Sequence, residues 1–363
     1  MRLFPISMCR AGMKLGKHIY NEQGMVLLAE GVELTQPLLD RLNRHGINYL
    51  YIQDSLTDDI VHVELISEEN KNKLLREIRS SFRKLANDPG RRSSLASYHH
   101  FGKTFRMHMD GLIEDLSRHG DAMIMLSDIQ IKDNYLYQHS LNVCMYATML
   151  GMSHGYGKDE LMTLGLGALL HDIGKTQIPD EILCKPTQLS DSEFSEMQNH
   201  TVYGYRILKE EPNIPLLSAH CAFQHHERMN GSGYPRGIKG DEIHPYAKWI
   251  AMVDSYDALT THRVYRPALL PHEALEVIMG GANTLYDPDM VNLFRDKVAI
   301  YPLGVTVSLC TGDIGVVVDL NASMPQRPVV RIIENQQREP LKVPYEVDLS
   351  KQLSIMITSI NPA

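Results

Sequence analysis

Seven side chains have the types and spacing to form a metal centre: His139, His171, Asp172, His200, His225, His226 and Asp254. Successive clusters of them are separated by 25 to 32 residues. That is the length of one helix and a connection, so each cluster can ride on its own helix and face one bundle core, as helical bundles build metal sites. Imidazole with carboxylate suits Fe, Mn, Co, Ni or Zn, and the absence of thiolates from the set argues against a structural zinc. Five histidines and two aspartates exceed what one ion needs. A carboxylate able to bridge, such as Asp172, would hold two ions roughly 3.5–4 Å apart, a clamp for the attacking and leaving oxygens of a displacement at phosphorus, with a shared water ionised to a bridging hydroxide.

A lone histidine on an apolar helix face is more often a satisfied core or surface residue. His154, His220, His244, His262, His272 and the seven histidines before residue 129 are set aside on that ground. The dipeptide His171-Asp172 is weak by itself, but its setting strengthens it. It follows the apolar run Leu161–Leu170, where a buried charge is costly unless paired or coordinated. Ile173-Gly174-Lys175 comes next. The glycine permits a close approach to the backbone, and the lysine offers positive charge beside a bound phosphate.

The elements that must position these groups follow from pattern. From Asp133 to about Ala282 nearly everything reads as helix. Asp133 and Asp159 are candidate caps, and Ser190 with Glu193 has the pattern of a capping box. Upstream, Glu68–Asn87 carries Leu74, Leu75, Ile78, Phe82 and Leu85 at helical spacing. A second such stripe holds Phe105, Met109, Leu112, Ile113 and Leu116. Both read first as core packing, and second as a surface for a homodimer or signalling partner within residues 68–126. The first 66 residues read as a small α+β domain: a hairpin of Lys17–Tyr20 and Met25–Ala29, a helix from Thr35 to near Gly46, and strands at Ile47–Ile52 and Val61–Leu65. After Tyr301, short β-prone runs at Val305–Leu309, Gly315–Leu320, Val329–Ile333 and Ser354–Ile357 form a β unit. The expected fold is mainly α: a helical bundle over 129–300, a domain at 1–66, connecting helices and linker at 67–128, and a β unit at 301–363.

Composition narrows the function. The 363 residues have a net charge of −8, and the stretch 129–300, with 14 basic and 21 acidic residues, holds most of the excess. That disfavours long nucleic acids. It does not disfavour a small phosphorylated ligand, because bound metal ions dominate the field around them. The most apolar run is ten residues long and broken by glycines, too short to span a bilayer. Five scattered cysteines without a CxxC pair fit reduced thiols and a cytoplasmic setting.

Over about residues 129–300 the sequence resembles the HD-GYP family of cyclic-di-GMP phosphodiesterases, within the HD phosphohydrolase superfamily. The likeness rests on Asp133-x-Tyr135 with His139-Ser140-x-x-Val143, on His171-Asp172-Ile173-Gly174-Lys175, and on His200-x-x-x-Gly204. It continues through His225-His226-Glu227-Arg228-Met229-Asn230-Gly231-Ser232-Gly233-Tyr234-Pro235, Asp254-Ser255-Tyr256-Asp257-Ala258-Leu259-Thr260 and Arg263-x-Tyr265-Arg266. The resemblance implies an HD-type bundle that hydrolyses cyclic-di-GMP to pGpG, GMP or both. It implies that the seven residues are metal ligands, with Asp172 bridging. It implies that Lys175 acts on the scissile phosphate, and that Tyr234, Arg263 and Arg266 contact substrate. Two departures stand out. Tyr135 occupies the position where some members have a Glu ligand for a third metal, so two divalent ions are expected, iron or manganese first. Asn230 replaces the usual Asp, which keeps the turn and loses the charge. Asp257 is a candidate general acid on position alone. Two rival readings are a cyclic-dinucleotide receptor with little turnover, and an HD enzyme acting on another cyclic dinucleotide or nucleotide.

Overall fold

A computed structural model of the chain describes residues 1–20, 25–44, 47, 49–60, 65–86, 101–118, 135–261 and 269–360. The described residues form two compact units. One draws on Met1–Glu64 and Asp296–Ala363, the other on Leu65–Gly120 and Leu136–Arg295.

In the first unit, β1 (Arg2–Pro5) pairs antiparallel with β4 (Tyr49–Ile52). The short hairpin forms as β2 (Ile19–Tyr20) and β3 (Val26–Leu28), and α1 (Gln36–Arg44) follows Thr35. Leu39 and Leu42 from α1 join Leu15, Ile19, Leu34, Ile47, Leu50 and Ile52 in one apolar core. The strand expected at Val61–Leu65 lies mostly outside the described residues. The second sheet contains β5 (Thr306–Leu309), β6 (Ile314–Asp319), β7 (Val329–Glu334), β8 (Pro340–Asp348) and β9 (Ile357–Ile360), in the order β8-β7-β6-β5-β9. Its pairings are all antiparallel. The Leu3 amide donates to the Gly304 carbonyl at 2.9 Å, and Ile60 packs on Ile314, Val316 and Ile333, so both ends of the chain build this unit.

Two strands escape the sequence pattern. β1 is four residues long and ends in proline. β8 contains Pro340 and Pro344 and is mostly exposed, so it lacks a buried stripe. Prolines are tolerated there because β8 is an edge strand. The last strand begins at Ile357, where the run expected to form it ends.

The helical unit contains α2 (Glu68–Ala86), α3 (Phe101–Ser117), α4 (Tyr135–His154), α5 (Lys158–Leu170), α6 (Asp180–Leu183), α7 (Asp191–Gln198), α8 (His200–Lys209), α9 (Leu216–Gln224), α10 (Pro245–Thr260), α11 (Pro271–Gly280) and most of α12 (Pro288–Lys297). The stripes on α2 and α3 are core: Leu74, Ile78, Phe82, Leu85, Phe105, Met109, Leu112, Ile113 and Leu116 are all buried, and Leu75 is partly buried. α5 is apolar around most of its circumference, which marks a helix enclosed by others, and everything from Leu164 to Leu170 is buried. The capping box forms as expected: the Glu193 amide donates to Ser190 Oγ at 3.3 Å, and the Ser190 amide to Glu193 Oε2 at 2.7 Å. Asp159 does not cap α5. Gly157 does, its amide donating to Glu160 Oε2 at 2.9 Å, and Asp159 falls in the first turn, where the helix dipole favours it. The proposed cap Asp133 lies outside the described residues. Among those described, no helix is long and apolar enough to cross a membrane.

Candidate metal centre

Five elements each deliver part of the ligand set to one point. His139 comes from the second turn of α4. His171 and Asp172 follow the end of α5, where the apolar helix runs directly into the centre. His200 opens α8, His225 and His226 follow α9, and Asp254 lies on α10. Apart from the partly exposed His226, all are buried.

Backbone geometry sets the ring orientations. Nδ1 of His171 lies 2.7 Å from the Ala168 carbonyl, Nδ1 of His200 2.6 Å from that of Met197, and Nδ1 of His225 2.9 Å from that of Ala222. Each carbonyl is three residues earlier. It accepts a hydrogen bond from Nδ1–H and leaves Nε2 as the acceptor that faces inward, the arrangement a metal-binding imidazole needs. His139 is held differently, its Nδ1 2.7 Å from the Asp257 carboxylate.

Asp172 sits between two groups of donors. Its Oδ2 lies 3.4 Å from His171 Nε2 and 3.8 Å from His139 Nε2. Its Oδ1 lies 3.5 Å from His200 Nε2 and 3.9 Å from His225 Nε2. Asp254 Oδ1 completes the first side, 3.1 Å from His139 Nε2 and 4.0 Å from His171 Nε2. On the second side His200, His225 and His226 have ligand atoms within 4.8 Å of one another.

The electrostatics match. Burial pushes the pKa of His200 down to about 4 against the pull of Asp172, and holds His225 and His226 well below the ordinary histidine range. These rings are neutral and free to ligate. Burial works to raise Asp172, yet Lys175 and His171 hold its carboxyl well below the usual range. Burial likewise opposes ionisation of Asp254, and His139 overcomes it. Burial works to lower His139, but hydrogen bonds to Asp254 and Asp257 carry it up to about 9, so this ring, unlike the others, would give up a proton when a metal binds.

Buried polar atoms normally find partners. His171 Nε2 and Asp172 Oδ1 have none. Two orphaned acceptors amid imidazoles and carboxylates are what divalent cations satisfy, so the residues present fit metal ions.

Residues 124–290 match the HD domain family, and residues 306–362 match the KOW domain associated with HD domains. Over 244 residues the chain is 33% identical to a cyclic di-GMP phosphodiesterase of Pseudomonas aeruginosa, spanning 66% of this chain and 58% of that protein. Residues 124–290 belong to the HD domain family, and the relatives they match support its HD-GYP branch. It is also 33% identical over 174 residues to a 3'3'-cGAMP-specific phosphodiesterase of Vibrio cholerae, spanning 48% of this chain and 38% of that one. Among solved structures, an HDG"Y"P protein from Bdellovibrio bacteriovorus aligns at 16% identity with a TM-score of 0.48, covering 81% of this chain and 98% of that chain.

The HD-GYP loop is organised by a residue with no assigned role in the sequence reading. Glu227 is buried, and its carboxylate accepts from the amides of Arg236 at 2.8 Å and Ile238 at 3.1 Å. A buried charge satisfied by backbone amides pins the loop that presents Tyr234. The Tyr234 ring stacks on His226 at 4.6 Å and 28°, and burial raises its pKa, keeping the phenol protonated. Asn230 Oδ1 accepts from the Ser232 amide at 2.9 Å, so it does hold the turn. Lys175 Nζ lies 2.5 Å from Asp172 Oδ2 with the lysine 23% exposed. Arg263 and Arg266 lie outside the described residues, as does the side chain of Tyr135.

Two expectations change. The general-acid role considered for Asp257 does not fit, because both its oxygens are engaged: Oδ2 by His139, Oδ1 by Asn142 Nδ2 at 2.8 Å. Gln138 Nε2 donates in turn to Asn142 Oδ1 at 2.8 Å, so Asp257 anchors a buried chain that orients His139. Spacing carries a signal for it: Asp257 is three residues from Asp254, and Asn142 three from His139, each on one helix face. The close approach that Gly174 permits is made by protein. A Cβ there would lie 1.9 Å from the His200 carbonyl oxygen, so the glycine lets α8 seat against the turn after Asp172.

Proposed function

We propose that this chain hydrolyses a phosphodiester bond of a cyclic dinucleotide, cyclic-di-GMP first, releasing pGpG, GMP or both. The observation that carries this reading is the position of Asp172 between two donor groups. His139, His171, Asp254 and Asp172 Oδ2 would hold one divalent ion, and His200, His225, His226 and Asp172 Oδ1 a second. Iron or manganese suits imidazole and carboxylate without thiolate. Bound ions would supply Lewis-acid stabilisation of phosphoryl oxygens and a readily ionised water.

The chain's own residues do the positioning. The three backbone carbonyls and Asp257 accept from the Nδ1–H of His171, His200, His225 and His139, so the Nε2 of each of these four points inward. Lys175, charged and partly exposed, stands beside Asp172 where it can meet the scissile phosphate and offset its growing negative charge. Tyr234 offers a ring to a base. Arg263 and Arg266 are assigned to substrate phosphate by resemblance. The setting is the cytoplasm, where the five cysteines, all free, stay thiols.

The name of the Vibrio cholerae relative favours a second reading, in which the substrate is another cyclic dinucleotide. The receptor reading draws no support from Asn230, whose amide oxygen serves the turn as a carboxylate would. The test is to load the protein anaerobically with Fe²⁺ or Mn²⁺ and assay a panel of cyclic dinucleotides. Hydrolysis with cyclic-di-GMP preferred is expected. A fully metallated sample that binds cyclic-di-GMP without cleaving it would sink the enzyme reading.

A further inference from the structure

No residue of α7 is buried. Its one aromatic side chain, Phe194, is 49% exposed. A single half-exposed phenyl ring is ordinary on a protein surface. This one stands beside the ligand cluster. Its ring centroid lies 6.4 Å from that of Tyr234, with the planes 80° apart. Tyr234 stacks on His226 at 4.6 Å and lies 6.3 Å from the ring of His200. The rings therefore form a series that begins at the ligands and ends in water.

His226 covers one face of Tyr234, and Phe194 stands nearly perpendicular to it. Two aromatic planes at close to a right angle make a corner for a planar heterocycle, which lies flat on one ring and meets the other with its edge. A centre made of cations alone binds any phosphodiester. A cyclic dinucleotide also carries two bases, and stacking on aromatic side chains is how proteins hold unpaired bases.

We infer that Phe194 is a specificity-determining residue, which with Tyr234 forms the wall that receives a base of the cyclic dinucleotide while its phosphate lies at the ligand cluster. This rests on the function proposed above, and the experiment separates the two. Wild type, Phe194→Ala and Phe194→Trp are loaded with Mn²⁺ to equal metal content. Turnover and equilibrium binding of cyclic-di-GMP are then measured for each. Phe194→Ala should raise KM on the order of 10-fold, the loss of one base's stacking. It should hold kcat within about twofold, and Phe194→Trp should restore KM. Equal KM in wild type and Phe194→Ala overturns the inference, as does a loss of kcat that tryptophan does not rescue. If the wild type binds cyclic-di-GMP without cleaving it, only the enzyme reading falls, and the ratio of the Kd values decides the role of Phe194. If the wild type does not bind cyclic-di-GMP, both fall.

Discussion

The two units bury different kinds of residue. In the unit formed by the two ends of the chain, the buried polar residues among those described are Thr57 and Thr306, and the cores are apolar. Its charges stay at the surface in pairs. Arg331 holds Asp59 through both carboxylate oxygens, at 2.7 and 2.5 Å, and Glu346 at 2.7 Å. The helical unit instead buries His139, His171, Asp172, His200, His225, Glu227, Asp254 and Asp257. Some of these are fully satisfied, as Glu227 and Asp257 are. Others are left with orphaned atoms, as His171 and Asp172 are. A buried ionisable side chain costs free energy unless something pairs with it, and among the described residues the buried ones of this kind are concentrated in the helical unit. The uneven distribution therefore separates a unit built to hold its shape from one built to hold something else.

The contrast breaks most sharply at Asp172. Asp172→Ala removes the carboxylate that serves both donor groups, and kcat should fall by roughly 10³-fold or more. Metal analysis should show fewer ions per chain, with helical circular dichroism retained. Full metal content and activity in the variant would erase the distinction between the units.

Paired glycine changes sharpen it. Gly174→Ala puts a Cβ 1.9 Å from the His200 carbonyl, and Gly315→Ala puts one 2.4 Å from Val330 Cγ1 in the sheet. Overpacking costs about 1–3 kcal/mol, and Gly174→Ala belongs at the upper end because all three of its nearest atoms are backbone, whereas the nearest to Gly315 is a side-chain methyl, with the Arg331 carbonyl oxygen next at 2.8 Å. Both should lower the melting temperature, but only Gly174→Ala should also lower metal content, because it displaces the turn that carries Asp172 from the helix that carries His200.

Asp257→Asn tests a smaller effect. It keeps the shape and removes the charge that orients His139. Loss of such a partner typically weakens metal binding by about 10–100-fold. One of two ions should be lost first on titration with a chelator, and simultaneous loss of both would show that Asp257 does not act through His139.

The smallest change lies in the other unit. Arg331→Ala should destabilise it by about 1 kcal/mol or less, since water screens the exposed partners, and should leave metal content unaltered. The hydrogen bond from Arg331 lowers the pKa of Asp59 from 3.8 to about 2. The unfolded chain therefore takes up this proton at a higher pH than the folded one. The stabilisation is whole above pH 3.8 and disappears as pH falls through about 2. Acid unfolding curves of wild type and Arg331→Ala should converge at the low end of that window.

How much was legible follows from the range of the interactions. The capping box at Ser190 and Glu193 depends on residues three apart and was readable. So were the stripes on α2 and α3, which depend only on helical period. β8 was not, because an exposed edge strand with two prolines has no alternation to read. Asp257 could be noticed but not understood. Its partner His139 lies 118 residues away, and only packing of α10 against α4 shows that its oxygens are already engaged. Gly174 marked a close approach without saying by what.

The sequence by itself determined the chemistry of the centre. Ligand type is a property of single side chains, and helix-length spacing follows from local backbone geometry, so seven candidate donors without thiolate could be named in advance. Tertiary structure alone decided how they divide: which oxygen of Asp172 faces which histidines, which rings are held by backbone and which by carboxylate, and that Phe194 stands beside Tyr234. Those relations join segments brought together by the burial of α5 and its neighbours. Burial is a cooperative property of the whole unit, and no stretch of residues carries it alone.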